Sequence, residues 1–150
     1  MPAKPATTAT HAVAPASPIL VYDGDCAFCS RSVQFILRHD RQRAVRFAAR
    51  EGVAGRAVRQ RHPALLQVDS LIWVESRDGR ERPLVRSESV LAIAAYLGGG
   101  FALLGSLGRL LPRALRDVGY DVIARYRRRL AFGGDACVIF TPEERSRVLD

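Results

Sequence analysis

Cys26 and Cys29, in Cys26-Ala27-Phe28-Cys29, are the residues of this chain whose type and spacing best suit chemistry. Such a pair can cycle between dithiol and disulfide, or hold a metal through its thiolates. Spacing alone does not give a disulfide. Inside a helix, residues i and i+3 have Cβ atoms about 5–6 Å apart, whereas a disulfide needs roughly 3.5–4.5 Å. The first cysteine must therefore sit at or just before the first helical residue, where the backbone can adjust. Asp23-Gly24-Asp25 reads as a turn and supplies that position for Cys26. The sulfur then lies near the unpaired N–H groups of the first helical turn, which favour thiolate. A helix N-terminus typically contributes about 0.3–1 kcal/mol. The Asp25 carboxylate opposes it by on the order of 1 kcal/mol, so the sequence assigns the site no redox direction. Asp23 and Asp25 have two readings: tuning the thiol or relaying its proton through water, and forming the turn and capping the helix.

The elements that must position the pair follow from hydrophobic pattern. Ile19-Leu20-Val21-Tyr22, bounded by Pro18 and Asp23-Gly24, reads as a buried strand. From Cys26 to His39, Cys29, Val33, Ile36 and Leu37 mark one apolar helical face. Ala44 to Ala48 alternates as a second strand, and Val53 to His62 reads as a helix ending before Pro63. Leu71-Ile72-Trp73-Val74 is a third strand, joined through the tight-turn pair Asp78-Gly79 to Arg82–Arg86, where Pro83 indicates a sheet edge. Ser87 is expected to cap a helix carrying Val90, Leu91, Ile93, Ala94 and Leu97, stopped by Gly98-Gly99-Gly100. A strand–helix–strand unit implies parallel pairing and the Asp-Gly turn an antiparallel hairpin. A mixed four-stranded sheet flanked by helices satisfies both, an α/β architecture of the thioredoxin-like kind, with the dithiol at the end of the first strand.

The remainder reads as a helical extension from about residue 99. Gly98 to Leu111 is expected to form a loop and helix covering the sheet. Pro112 suits the first position of a helix whose Leu115, Val118, Val122, Ile123, Tyr126 and Leu130 form one face, expected to pack on the core. Thr141-Pro142-Glu143-Glu144 fits a capping box opening a last short helix. Residues 1–18, rich in Pro, Ala and Thr without an apolar segment after Lys4, read as a disordered tail rather than a secretory signal. Residues 19–150 then make one domain.

Tyr22-Asp23-Gly24-Asp25-Cys26-Ala27-Phe28-Cys29 resembles the signature of the DCC family of predicted thiol–disulfide oxidoreductases, named for residues standing here as Asp25, Cys26 and Cys29. The similarity continues through Arg46-Phe47-Ala48, Arg86–Leu91 and Leu111-Pro112-Arg113 to Gly134–Cys137. The resemblance implies disulfide exchange. The dithiol chemistry then casts Cys26 as the nucleophile and Cys29 as the resolving thiol, with a disulfide or thiol substrate, an external thiol reductant and no bound cofactor. In one respect the chain departs from thioredoxins: Val68-Asp69-Ser70 stands where they carry a cis-proline before the third strand. That opens the alternative of a narrower or small-thiol substrate.

The bulk composition narrows the remaining possibilities. Three cysteines in 150 residues are too few for a disulfide-stapled secreted scaffold, and a cytoplasmic setting is expected. The formal charge of +8 rests on arginine, Lys4 being the one lysine. Arg38, Arg41, Arg43, Arg46 and Arg50 form one basic run and Arg125, Arg127, Arg128 and Arg129 another. Both are expected to be solvated faces, since no interleaved aromatics support nucleic-acid binding. No apolar stretch approaches the roughly 20 residues that span a bilayer, and membrane contact is not expected. Cys137 with the pair and a histidine could form a zinc site, but no second Cys-x-x-Cys or His-x-x-His accompanies them. A non-enzymatic metal-binding or basic docking module is the competing class.

Overall fold

In a computed structural model that describes residues 17–130 and 140–149, β1 (Ile19–Tyr22) leads into α1 (Ala27–His39) and returns as β2 (Arg46–Ala49). Then come α2 (Val53–Arg61), a single 3-10 turn at Pro63–Leu65, β3 (Ile72–Arg77) and β4 (Arg80–Val85). Helices α3 (Arg86–Leu97), α4 (Gly99–Arg109), α5 (Arg113–Leu130) and α6 (Pro142–Arg145) follow. The strand order is β2-β1-β3-β4, with β1 parallel to β2 and antiparallel to β3, and β3 antiparallel to β4. This is the expected mixed sheet flanked by helices.

The hairpin register pairs Arg77 with Arg80, leaving Asp78-Gly79 as a two-residue loop. Both loop residues have positive φ, +53° and +74°, the conformation that Asp-Gly supplies at least cost. Pro83 lies on β4, at the edge, opposite Val74. β1 and β3 alternate between two buried clusters, so both faces of the sheet are covered. Leu20, Tyr22, Phe47 and Trp73 pack with Cys29, Val33 and Ile36 of α1 and Ile93 of α3. Val21, Ala48, Ile72 and Val74 pack with Val58 of α2 and with Leu65.

Five expectations are corrected. The second strand runs over Arg46–Ala49 rather than 44–48. Ser87 does not cap α3, which begins at Arg86 after Val85 without a side-chain cap. Its hydroxyl instead donates to the Asp117 carboxylate of α5. α4 buries no residue and packs along α3, with Gly105 against Ala94 and Gly108 against Leu91, rather than covering the sheet. Most consequentially, α5 packs through its polar side. Leu115, Val118, Val122, Ile123 and Tyr126 are all about half exposed or more, while Arg116 reaches Glu88 of α3 at 3.2 Å and Arg127 reaches Asp69 at 2.7 Å. Ionic partners already placed on α3 and before β3 hold that side inward. Pro112 also falls one residue before α5, its carbonyl accepting from Leu115 and Arg116.

α6 shows the expected capping box: Glu144 N–H donates to Thr141 Oγ1 at 3.2 Å and Thr141 N–H to Glu144 Oε2 at 2.9 Å. Past it the chain adds a parallel bridge to β2, with Phe47 N–H donating to the Arg147 carbonyl and Leu149 N–H to the Phe47 carbonyl, each at 2.9 Å. Arg147 also turns inward to pair with the fully buried Asp40, which accepts as well from Tyr96 Oη at 2.8 Å and Val45 N–H at 3.2 Å. Burial and the Asp40 carboxylate push the Tyr96 hydroxyl up to about 12.

Candidate active site

Tyr22 ends β1, Asp23-Gly24-Asp25 turns the chain, and Cys26 occupies the N-cap of α1 in extended conformation. That is the position the dithiol geometry requires. Asp23 shapes the turn by accepting the Asp25 N–H at 3.0 Å through Oδ1. Neither aspartate caps the helix; the cap acceptor is Cys26 Sγ, 3.4 Å from the Cys29 N–H. A sulfur accepting that orphan N–H gains most when it carries negative charge.

The two thiols differ sharply in surroundings. Cys26 is partly exposed, whereas Cys29 is only 2% accessible and belongs to the core cluster of α1. Burial, then the hydrogen bond and charge of Cys26, push the Cys29 thiol up to about 12. One thiol is open to collision and the other is held protonated behind it.

A chain of charges links the turn to segments distant in sequence. Arg50, just past β2, reaches Asp23 Oδ2 at 3.3 Å and Asp69 Oδ1 at 2.7 Å. Arg127 of α5 grips Asp69 from the other side, at 2.7 Å to Oδ2 and 3.1 Å to the carbonyl. The Arg50 hydrogen bond, aided by the Arg127 charge, holds the Asp69 carboxyl below the usual carboxylate range. Arg127 is also within electrostatic reach of both sulfurs. Asp69 thus occupies the approach to β3, with no cis peptide bond among the described residues.

Two cavities meet at Arg127. A polar cleft of about 300 Å³ is lined by Asp23, Arg50, Asp69 and Arg127. A larger one of about 590 Å³ is lined by Phe28, Cys29, Ile36, Leu71 and Ile93, with Tyr120 and Arg127 contributed by α5. Its volume is in the range of small-ligand sites. Burial raises the Tyr120 hydroxyl, which faces Ser70 and the Leu71 backbone.

The structure therefore brings Asp23, Cys26 and Cys29 together and leaves the Asp25 side chain exposed. Sequence reading missed Arg50, Asp69, Tyr120 and Arg127, having placed both arginines on solvated faces. One signal was available: Arg116, Tyr120 and Arg127 share a helical face at i, i+4 and i+11. Cys137 lies outside the described residues. Among the described residues, no three His, Cys, Asp or Glu side chains gather as a metal set, and no helix is long and apolar enough to cross a membrane.

A mixed sheet ordered β2-β1-β3-β4, with a Cys-x-x-Cys at the start of the helix that follows the first strand, defines a thioredoxin-like protein. The chain belongs to the DCC1-like thiol-disulfide oxidoreductase family, whose profile matches residues 20–132. It is 32% identical over 121 residues to a chloroplastic DCC family protein of Arabidopsis thaliana, covering 80% of this chain and 68% of that one. It is 25% identical over 132 residues to the uncharacterised Bacillus subtilis protein YuxK, covering 87% and 93% respectively. No solved structure matches significantly.

Proposed function

We propose that this protein exchanges disulfides through Cys26 as nucleophile and Cys29 as resolving thiol. The observation that carries this reading is the asymmetry of the pair: a partly exposed Cys26 sulfur at a helix N-cap, accepting the Cys29 backbone N–H at 3.4 Å, and a Cys29 thiol buried in the core. In the reducing direction, Cys26 thiolate attacks one sulfur of a substrate disulfide. That S–S bond breaks, the leaving thiolate takes a proton from water, and a mixed disulfide forms on Cys26. Cys29 then loses its proton and attacks the Cys26 sulfur, expelling the second substrate thiolate. The substrate gains two electrons, and the Cys26–Cys29 disulfide is returned to dithiol by an external thiol reductant.

The same asymmetry orders the steps. Two of the causes that keep Cys29 protonated are the hydrogen bond to Cys26 and the Cys26 charge. Both vanish when Cys26 becomes part of a mixed disulfide, so Cys29 ionises more readily when its thiolate is needed. Asp23 acts by positioning the turn, since its carboxylate is already engaged by Arg50 and the Asp25 N–H. Asp25 is the carboxylate free to face solvent beside Cys26. The test is trapping: Cys29→Ser should accumulate mixed disulfides on Cys26 that dithiothreitol releases, and Cys26→Ser should not. Absence of trapped species on Cys29→Ser overturns the assignment.

A further inference from the structure

α5 is amphipathic in the reverse sense from a helix that serves a core. Arg116, Tyr120, Ala124 and Arg127 face the domain, while Leu115, Val118, Val122 and Tyr126, at i, i+3, i+7 and i+11, face outward and are 47–59% exposed. α4 exposes Leu103, Leu104 and Leu107, and the connection to α5 exposes Leu110 and Leu111, so exposed apolar side chains recur along the chain from Leu103 to Tyr126. Isolated exposed leucines are ordinary, but so dense a run of them marks a contact site.

The cations around this surface indicate what it meets. Arg125 and Arg129 have no ion-pair partner among the described residues, and Arg129 lies over the Tyr126 ring at 5.9 Å. Arg113 has only Asp117 at 3.6 Å, and the exposed acid Asp121 is directed to Arg86 at 3.8 Å. The face is therefore apolar with an arginine fringe. A second copy seated on it by two-fold symmetry would bring that fringe against itself, like charge on like. An anionic bilayer offers both complements, acyl chains for the leucines and headgroup phosphates for the arginines.

We propose that α4 and α5 dock this protein on an anionic lipid surface, lying in the interface without crossing it. Ile123 belongs to this face and also lines the cavity at Cys29, so the docked edge and the thiol site adjoin. Gly98 to Leu111 reads in sequence as a loop and helix covering the sheet, with contact to a membrane or partner as the alternative. The exposed leucines of α4 give it this other role.

The test is flotation of the full chain with phosphatidylcholine vesicles with and without phosphatidylglycerol. Binding is expected to the anionic vesicles alone and to weaken as salt rises. Val118→Glu with Leu107→Glu, and separately Arg125→Glu with Arg129→Glu, should each lower binding by about tenfold or more. Both variants should keep wild-type circular dichroism and wild-type alkylation of Cys26. No binding to anionic vesicles, equal binding to neutral ones, or a solution dimer that Val118→Glu dissociates would overturn the proposal.

Discussion

Arg127 and Asp69, 58 residues apart in the chain, form a two-point contact in which one guanidinium grips both the carboxylate and the carbonyl of the residue leading into β3. The contact ties the C-terminal helical region to the dithiol, because Asp69 passes the link through Arg50 to Asp23 in the turn before Cys26. It also places a cation within electrostatic reach of both sulfurs.

Arg127→Gln should therefore slow alkylation of Cys26 by neutral iodoacetamide near pH 7. One lost charge at a partly screened site is worth about 1 kcal/mol, roughly fivefold in rate. Arg127→Lys should recover part of the rate by charge but not the forked contact to Asp69. A rate unchanged in Arg127→Gln would show that the cation does not act on the thiol.

The pH behaviour of Cys29 has a defined sign. In the fold the thiol is pushed up to about 12 from an ordinary 9.0, chiefly by burial. Between these values the folded state holds a proton that the unfolded chain has lost. The stability this contributes is complete below pH 9 and declines as pH rises toward 12. Urea midpoints measured from pH 8 to 11 should fall for the wild type and fall less steeply for Cys29→Ala. In native protein at pH 8, mass spectrometry should find iodoacetamide on Cys26 well before Cys29. Equal labelling would contradict the asymmetry on which the mechanism rests.

The Asp40–Arg147 pair predicts a large, one-sided effect. Asp40 is fully buried and accepts from Arg147, Tyr96 and Val45 N–H. Asp40→Ala strands all three donors and should cost about 3–5 kcal/mol. Replacing both partners, as Asp40→Leu with Arg147→Met, should cost less than Asp40→Ala alone. Equilibrium urea denaturation of both variants decides this.

Gly55 tests how closely α2 lies against the end of β2. A Cβ there would sit 2.0 Å from the Ala49 carbonyl oxygen. Backbone on one side and helix on the other cannot give way cheaply. Gly55→Ala should lose about 1–3 kcal/mol, despite the better helix propensity of alanine. A melting temperature at or above wild type would show that α2 can shift.

The sheet and the dithiol were legible because their signals are local. Ile19–Tyr22, the Asp78-Gly79 turn, Pro83 and the Cys26 N-cap are each decided by a few neighbouring residues. The surroundings of the dithiol were not legible. Arg50, Asp69 and Arg127 come from three segments that only tertiary packing brings together, and each looks like a solvated charge in its own window. The same limit explains α5. An amphipathic stripe identifies a helix, but not which side turns inward, and here Glu88, Asp69 and Ser87 draw the polar side in. Ser87 itself looked like a cap because its type suits one, yet its hydroxyl serves Asp117.

The bridge from Arg147–Leu149 to Phe47 means that the outer edge of the sheet is completed by residues about a hundred positions downstream, as the 102-residue separation of Val45 and Arg147 shows. During synthesis, β1 and β2 can pair long before their cover exists. For that interval β2 is an unprotected strand edge carrying Phe47, open to pairing with other nascent chains. Closure of that edge waits until Leu149 has been synthesised, so the exposure lasts while everything between β2 and the bridge is made.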